Sequence, residues 1–116
     1  IKAFHGKHLT ISNDNISDIM QFFNKLYLLQ IWHILVVPSV NISQLNTDYK
    51  CEPSNLRSYT CYSDESKGII SYNIIKYNAN TLKLLRLNCY TWNDIVMILN
   101  NNKLILNNLI LNNNNE

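Results

Sequence analysis

Glycine, arginine and cysteine are scarce in this 116-residue chain, and each scarcity excludes something. Glycine occurs only at Gly6 and Gly68. A glycine-rich phosphate cradle of the P-loop or dinucleotide type needs several, so neither is available. Arginine occurs only at Arg57 and Arg86, and the formal net charge is +2. That balance argues against a basic nucleic-acid arm or a membrane-surface helix. Eight lysines are spread along the chain without a basic stripe interleaved with aromatics, so direct nucleic-acid binding is not expected. Three cysteines, Cys51, Cys61 and Cys89, form no Cys-x-x-Cys pair, which speaks against a zinc knuckle or a disulfide framework. Reduced thiols in an intracellular, cytoplasmic protein are the simpler expectation. No apolar run approaches the ~18 residues that span a bilayer. The best, Leu26 to Val37, is interrupted by Gln30 and His33 and stopped by Pro38.

Asparagine, leucine and isoleucine are abundant instead, with 20, 16 and 15 copies. An A+T-rich coding sequence accounts for the bias, but not for where the residues fall. One short template recurs: apolar-x-x-apolar-x-apolar. It reads Gly6-x-x-Leu9-x-Ile11, Ile31-x-x-Ile34-x-Val36, Leu56-x-x-Tyr59-x-Cys61, Leu82-x-x-Leu85-x-Leu87 and Leu106-x-x-Leu109-x-Leu111. The central anchors Leu9, Ile34, Tyr59, Leu85 and Leu109 are 25, 25, 26 and 24 residues apart. Fourteen of the fifteen template positions are hydrophobic, where composition alone gives roughly seven.

The last two positions of each copy alternate as a half-buried strand requires. Helix-like apolar spacing follows several copies. Ile16, Ile19, Phe23 and Leu26 form the clearest case. Ile95, Ile98 and Leu99 form a second, with Asn93 or Asp94 placed to cap it. Ile42 with Leu45, and Ile70 with Ile74, are shorter versions. Each unit therefore reads as strand, turn and helical or irregular return. A single such unit cannot bury its apolar face, so neighbours must stack.

The pattern resembles that of the leucine-rich repeat family, L-x-x-L-x-L-x-x-N/C at periods of 20–29 residues. Leu106-Asn-Asn-Leu109-Ile-Leu111-Asn-Asn-Asn114 fits every position. In Leu82-Lys-Leu-Leu85-Arg-Leu87-Asn-Cys89, the cysteine falls one place early. The first three copies depart further, with Asp14, Ser39 and Asp64 in the polar slot. The resemblance implies one α/β domain over residues 1–116, with repeats at about 6–30, 31–55, 56–81, 82–105 and a partial 106–116. It implies a solenoid with a parallel β-sheet on its concave face and helical or irregular convex segments. A small α+β domain with helices at 14–29 and 93–101 is the competing architecture.

The family's concave sheet face commonly binds a protein partner. The anchor register projects three ladders onto that face. The first is His8, His33, Ser58, Leu84 and Asn108. The second is Thr10, Leu35, Thr60, Arg86 and Ile110. The third is Ser12, Val37, Tyr62, Asn88 and Asn112. A one-residue slip would invert them. Partner contact is therefore expected at His33, Leu35, Val37, Thr60, Tyr62, Leu84, Arg86 and Asn88, with Tyr and Arg the residue types enriched at hot spots.

No catalytic constellation stands out. Asp64 and Glu65 are adjacent and suit a solvated turn, Cys61 suits an inward apolar slot, and Trp32 and Trp92 suit packing. His8 and His33 sit one repeat apart but offer only two ligands where zinc takes three or four. The expected function is thus non-catalytic, cofactor-free protein–protein interaction or scaffolding. Alternatives are the substrate-recognition part of a larger F-box-like adaptor, or an accessory subunit of a large assembly, where any nucleic-acid contact would be indirect.

Overall fold

The computed structural model describes residues 3–40, 55–66, 68–88, 96 and 108–112. Five strands and two helices follow one another along the chain. They are β1 (Ala3–Ile11), α1 (Ile16–Lys25), β2 (Leu28–Val36), β3 (Ser58–Cys61), α2 (Ile69–Tyr77), β4 (Leu84–Asn88) and β5 (Asn108–Asn112). The strands form one sheet in the order β1-β2-β3-β4-β5, and every neighbouring pair is parallel. The chain is therefore α/β, with a parallel five-stranded sheet laid down in sequence order. The repeat segments around Ile42 and Leu45, and around Ile95, Ile98 and Leu99, lie outside the described residues.

One hydrophobic cluster joins the helices to one face of the sheet. Ile16, Met20 and Phe23 of α1 and Ile70, Ile74 and Ile75 of α2 pack on Leu29, Ile31, Ile34, Tyr59, Cys61, Leu85 and Leu87. Full burial of each such side chain contributes about 1.5–3 kcal/mol. Leu56 and Leu82, the first template positions ahead of β3 and β4, are also buried, as is Leu26 ahead of β2. Gly6, an odd residue for an apolar slot, has a steric reason: a Cβ there would lie 2.8 Å from the Phe4 ring. That ring occupies the slot and meets Phe22 edge-on at 6.0 Å and Phe23 at 6.4 Å.

The template is not a simple period-2 strand. Lys7 and Trp32 make no cross-strand pair, although their neighbours on both sides do. Both strands thus skip a step, with two residues between consecutive inward positions: Lys7-His8 between Gly6 and Leu9, and Trp32-His33 between Ile31 and Ile34. The step explains the i, i+3, i+5 spacing of the apolar residues.

The step also changes the expected register. Leu9 pairs with Ile34, as the anchors predict. Tyr59, however, pairs with Leu29 and not with Ile34. The reason is in β2, where the template occurs twice: Leu26-x-x-Leu29-x-Ile31 overlaps Ile31-x-x-Ile34-x-Val36. The first copy, five residues earlier, faces β3. The second pairs with β1 and borders the chain after β3. There Ile34 bridges Asp64, the Ile34 amide donates to Ser63 O at 2.8 Å, and Glu65 N donates to Ile34 O at 3.0 Å. Beyond β3 the anchors hold, with Tyr59 opposite Leu85 and Leu85 opposite Leu109.

Side chains shape the turn into each helix, and in α2 they also take up the first amides. Asn15 Oδ1 accepts from Ser12 N at 2.9 Å and its Nδ2 donates to Thr10 O at 3.0 Å, fixing the turn into α1. Ahead of α2, Gly68 adopts φ 87°, a left-handed conformation that costs a Cβ-bearing residue energy. The first amides of α2 are then taken up by Ser66 and Asp64. Ile70 N donates to Ser66 Oγ at 2.9 Å, and Ser71 N donates to Asp64 Oδ2 at 3.1 Å. Asp64 Oδ1 also accepts from Ser66 N at 2.8 Å and from the Ser66 hydroxyl. The pair Asp64–Glu65 is therefore no purely solvated turn, because Asp64 is a structural cap.

Burial pushes the Asp64 carboxyl up from its ordinary value, against the opposing pull of its hydrogen bonds to Ser66 and Ser71. The folded chain thus holds this proton more tightly than the unfolded chain. The stability it contributes is fully present below the unfolded carboxylate pKa and is lost as pH rises through the raised folded value. Asp64→Asn removes this titration. Urea unfolding at pH 4 and pH 7 will show the difference in stability between the native chain and the variant moving toward the native chain at the lower pH. A constant difference across that window would contradict the assignment.

Candidate interaction face

The second face of the sheet carries no helix among the described residues. Its lateral rows follow from the pairing. Leu28, Ser58, Leu84 and Asn108 form one row, and Gln30, Thr60, Arg86 and Ile110 form the next. His5 extends the second row, with Nδ1 3.2 Å from Gln30 Oε1. Thr60 is only 9% exposed although it sits on this face, since it stands on the central strand between two larger side chains.

Above Thr60 lies an aromatic stack. Trp32 and Tyr62 lie face to face, with ring centroids 4.1 Å apart and planes 16° from parallel. Arg86 places its guanidinium 5.6 Å from the centroid of Tyr62. Trp32 is 52% exposed. Offset stacks contribute about 0.5–1.5 kcal/mol beyond area burial, and a guanidinium over a ring about 0.5–1 kcal/mol where exposed. The Tyr62 amide donates to Ile31 O at 3.1 Å, which holds the ring just past the end of β3. The Nε of Arg86 is buried and has no hydrogen-bond partner.

The expected site residues are distributed unevenly. Thr60, Tyr62 and Arg86 lie together at the stack, and Leu84 is in the preceding row opposite Ser58. Asn88 ends β4 opposite Asn112, and its side chain lies outside the described residues. His33 and Leu35 stand on the far half of β2 opposite His8 and Thr10, not beside Ser58 and Thr60 as the projected ladders had them. The five-residue offset between the two template copies in β2 is the cause. Val37 departs from the projection altogether. It packs against the core cluster, and its amide donates to Ile11 O at 2.9 Å as the chain turns toward Pro38.

Around His33 a small polar group forms. The His8 and His33 rings are 5.9 Å apart, and His33 Nε2 lies 3.4 Å from Glu65 Oε2. Glu65 is clipped in place by its Oε1, which accepts from Val36 N at 3.3 Å. Among the described residues no three histidine, cysteine or carboxylate side chains are grouped to hold a metal ion.

Trp32, Gln30 and His5 are members of this face that the anchor register leaves out. Trp32 reads from the sequence as a packing residue. The signal that finds it is the earlier template copy, Leu26-x-x-Leu29-x-Ile31, after which Trp32 is the next outward position. No helix among the described residues is long and apolar enough to cross a membrane. Family models, curated proteins and solved structures contain no match to this chain.

Proposed function

We propose that the chain is a short leucine-rich-repeat-like solenoid whose open sheet face docks a protein partner, with no catalysis of its own. Two features support the solenoid part. Strands follow in sequence order with parallel pairing throughout, and the described template positions in β2, β3 and β4 are buried or pack against the core. The observation that carries the docking part is the Trp32–Tyr62–Arg86 stack. A folded chain gains little by leaving half of a tryptophan in water, whereas interface hot spots are enriched in these three residue types. The recognition half of an adaptor or a subunit of a larger assembly would use the same face.

The test has two steps. A photo-crosslinking residue at position 30, on the same face beside the stack, identifies the partner, with position 22 on α1 as the control. The affinity of that partner is then measured for Tyr62→Ala combined with Arg86→Glu. Binding is expected to weaken at least 100-fold, about 2.7 kcal/mol, as for loss of a hot spot. Unchanged binding by the double variant, with loss from changes on α1, would move the interface to the helical side.

A further inference from the structure

A second site lies at the amino-terminal ends of β2 and β3, away from the aromatic stack. Lys25, Tyr27, Asn55 and Arg57 line a pocket of about 210 Å³ there. Its walls are latched by backbone hydrogen bonds. Asn55 N donates to Asn24 O at 2.9 Å, and Arg57 N donates to Tyr27 O at 2.8 Å. Asn24 is itself buried and accepts from Asn78 Nδ2 at 2.8 Å, which ties this corner to the end of α2.

Two cations share the pocket. Among the described residues the ion pair is His33–Glu65, so neither Lys25 nor Arg57 is matched by a carboxylate there. Arg57 sits 5.8 Å from the centroid of the Tyr27 ring, which is 55% exposed. Stacking on a ring leaves the in-plane N–H groups of a guanidinium available and reduces the freedom lost when they bind. Lys83 lies just ahead of β4, where its amide donates to Arg57 O at 2.8 Å.

Among the described residues the acidic side chains lie toward one end of the sheet, and three basic ones lie toward the other. Asp14, Asp18, Asp64 and Glu65 all follow the carboxyl ends of strands, whereas Lys25, Arg57 and Lys83 lie at the amino ends. Helix dipoles account for part of this, since Lys25 occupies the last turn of α1. They do not account for Arg57 and Lys83, which come from the lead-ins to strands.

We propose that the Lys25–Tyr27–Asn55–Arg57 pocket binds a phosphate group, free or carried by a small ligand. The guanidinium supplies a planar fork that matches two phosphate oxygens, the ammonium supplies a point charge, and the Asn55 amide adds a neutral donor. The volume is below the ~300–1,000 Å³ of drug-sized pockets, which limits the ligand to a phosphate with a short carrier.

Titration of the full chain with inorganic phosphate, against sodium chloride at matched ionic strength, tests this through the backbone amide resonances of Tyr27 and Asn55. Phosphate is expected to give saturable shifts that chloride does not. Arg57→Gln and Lys25→Gln are each expected to weaken binding at least tenfold, Arg57→Lys less than Arg57→Gln, and Arg86→Gln not at all. Lys25 is exposed at a helix end, so its variant keeps the test decisive if the Arg57 change perturbs folding. A parallel titration with glycerol phosphate separates the sources: tighter binding than inorganic phosphate assigns a carried group, equal or weaker binding assigns the free anion. Identical responses to phosphate and chloride, or retained binding in both Gln variants, would overturn the proposal.

Discussion

Tyr59→Ala is expected to lower the unfolding free energy by about 3–5 kcal/mol, as for other large aromatic side chains deleted from a core. Tyr59 is fully buried on the central strand, beneath α2, and belongs to the same cluster as Ile70, Ile74 and Leu85. Its hydroxyl lies 2.6 Å from Ser71 Oγ, so the phenol is buried without stranding its polar atom. Burial raises its pKa well above the ordinary tyrosine value, with Cys61 and Asp64 adding to the effect, so it remains neutral through the physiological range. Domains of this size are stable by only about 5–15 kcal/mol, so the alanine variant should be near the limit of folding. Tyr59→Phe separates the two contributions. It keeps the ring, loses the hydrogen bond, and should cost only about 0.5–1.5 kcal/mol. Urea unfolding of the two variants checks the order. Equal losses would mean that the hydroxyl, not the ring, fixes the strand under α2.

The same residue shows what the sequence does and does not carry. Tyr59 and Cys61 are unusual at positions the template gives to leucine, yet both are buried on the inward face. The apolar spacing was enough to place them. Nothing in the spacing indicates that Ser71, 12 residues on and on a helix, receives the hydroxyl. The parallel order, the strands near residues 9, 34, 59, 85 and 109, and α1 were legible for a similar reason: burial imposes a period and the sequence records it. The register between β2 and β3 was not, because β2 carries two overlapping copies of one template and either satisfies the same apolar count. Only the packing of Leu26 and Leu29 opposite Leu56 and Tyr59 chooses between them.

That ambiguity governs how much of the interaction face was readable. Arg86, Tyr62, Thr60 and Leu84 belong to β3, its continuation and β4, where the anchors hold, and they are found together. His33, Leu35 and Val37 belong to the second template copy, and His33 and Leu35 pair with β1 and not with β3. Trp32, half exposed, falls at the step where strict alternation fails. Periodicity is least informative at such a position, because two successive residues lie outside the core. The Asn-rich composition contributes little to the described part of the face. It matters instead in the buried corner where Asn78 Nδ2 donates to Asn24 Oδ1 and to Ile74 O.

Trp32→Ala is expected to weaken partner binding by about 2–4 kcal/mol, roughly 30- to 800-fold, while changing the stability of the chain by about 1 kcal/mol. The two effects separate because the ring stacks on Tyr62 and leaves half of the residue's surface open. Trp32→Phe retains a stacking surface and should recover part of the affinity. Arg86→Gln removes the guanidinium over Tyr62 and should weaken binding while leaving the Trp32–Tyr62 stack in place. Calorimetric titration with the crosslinked partner, alongside urea unfolding, gives both quantities for each variant. Arg57→Gln supplies the internal control. It lies at the amino-terminal ends of the strands, away from the stack, so it should weaken the phosphate response at least tenfold without altering partner affinity. Loss of affinity in Arg57→Gln equal to that in Trp32→Ala would instead make the basic pocket part of one continuous interface, with the aromatic stack at its rim.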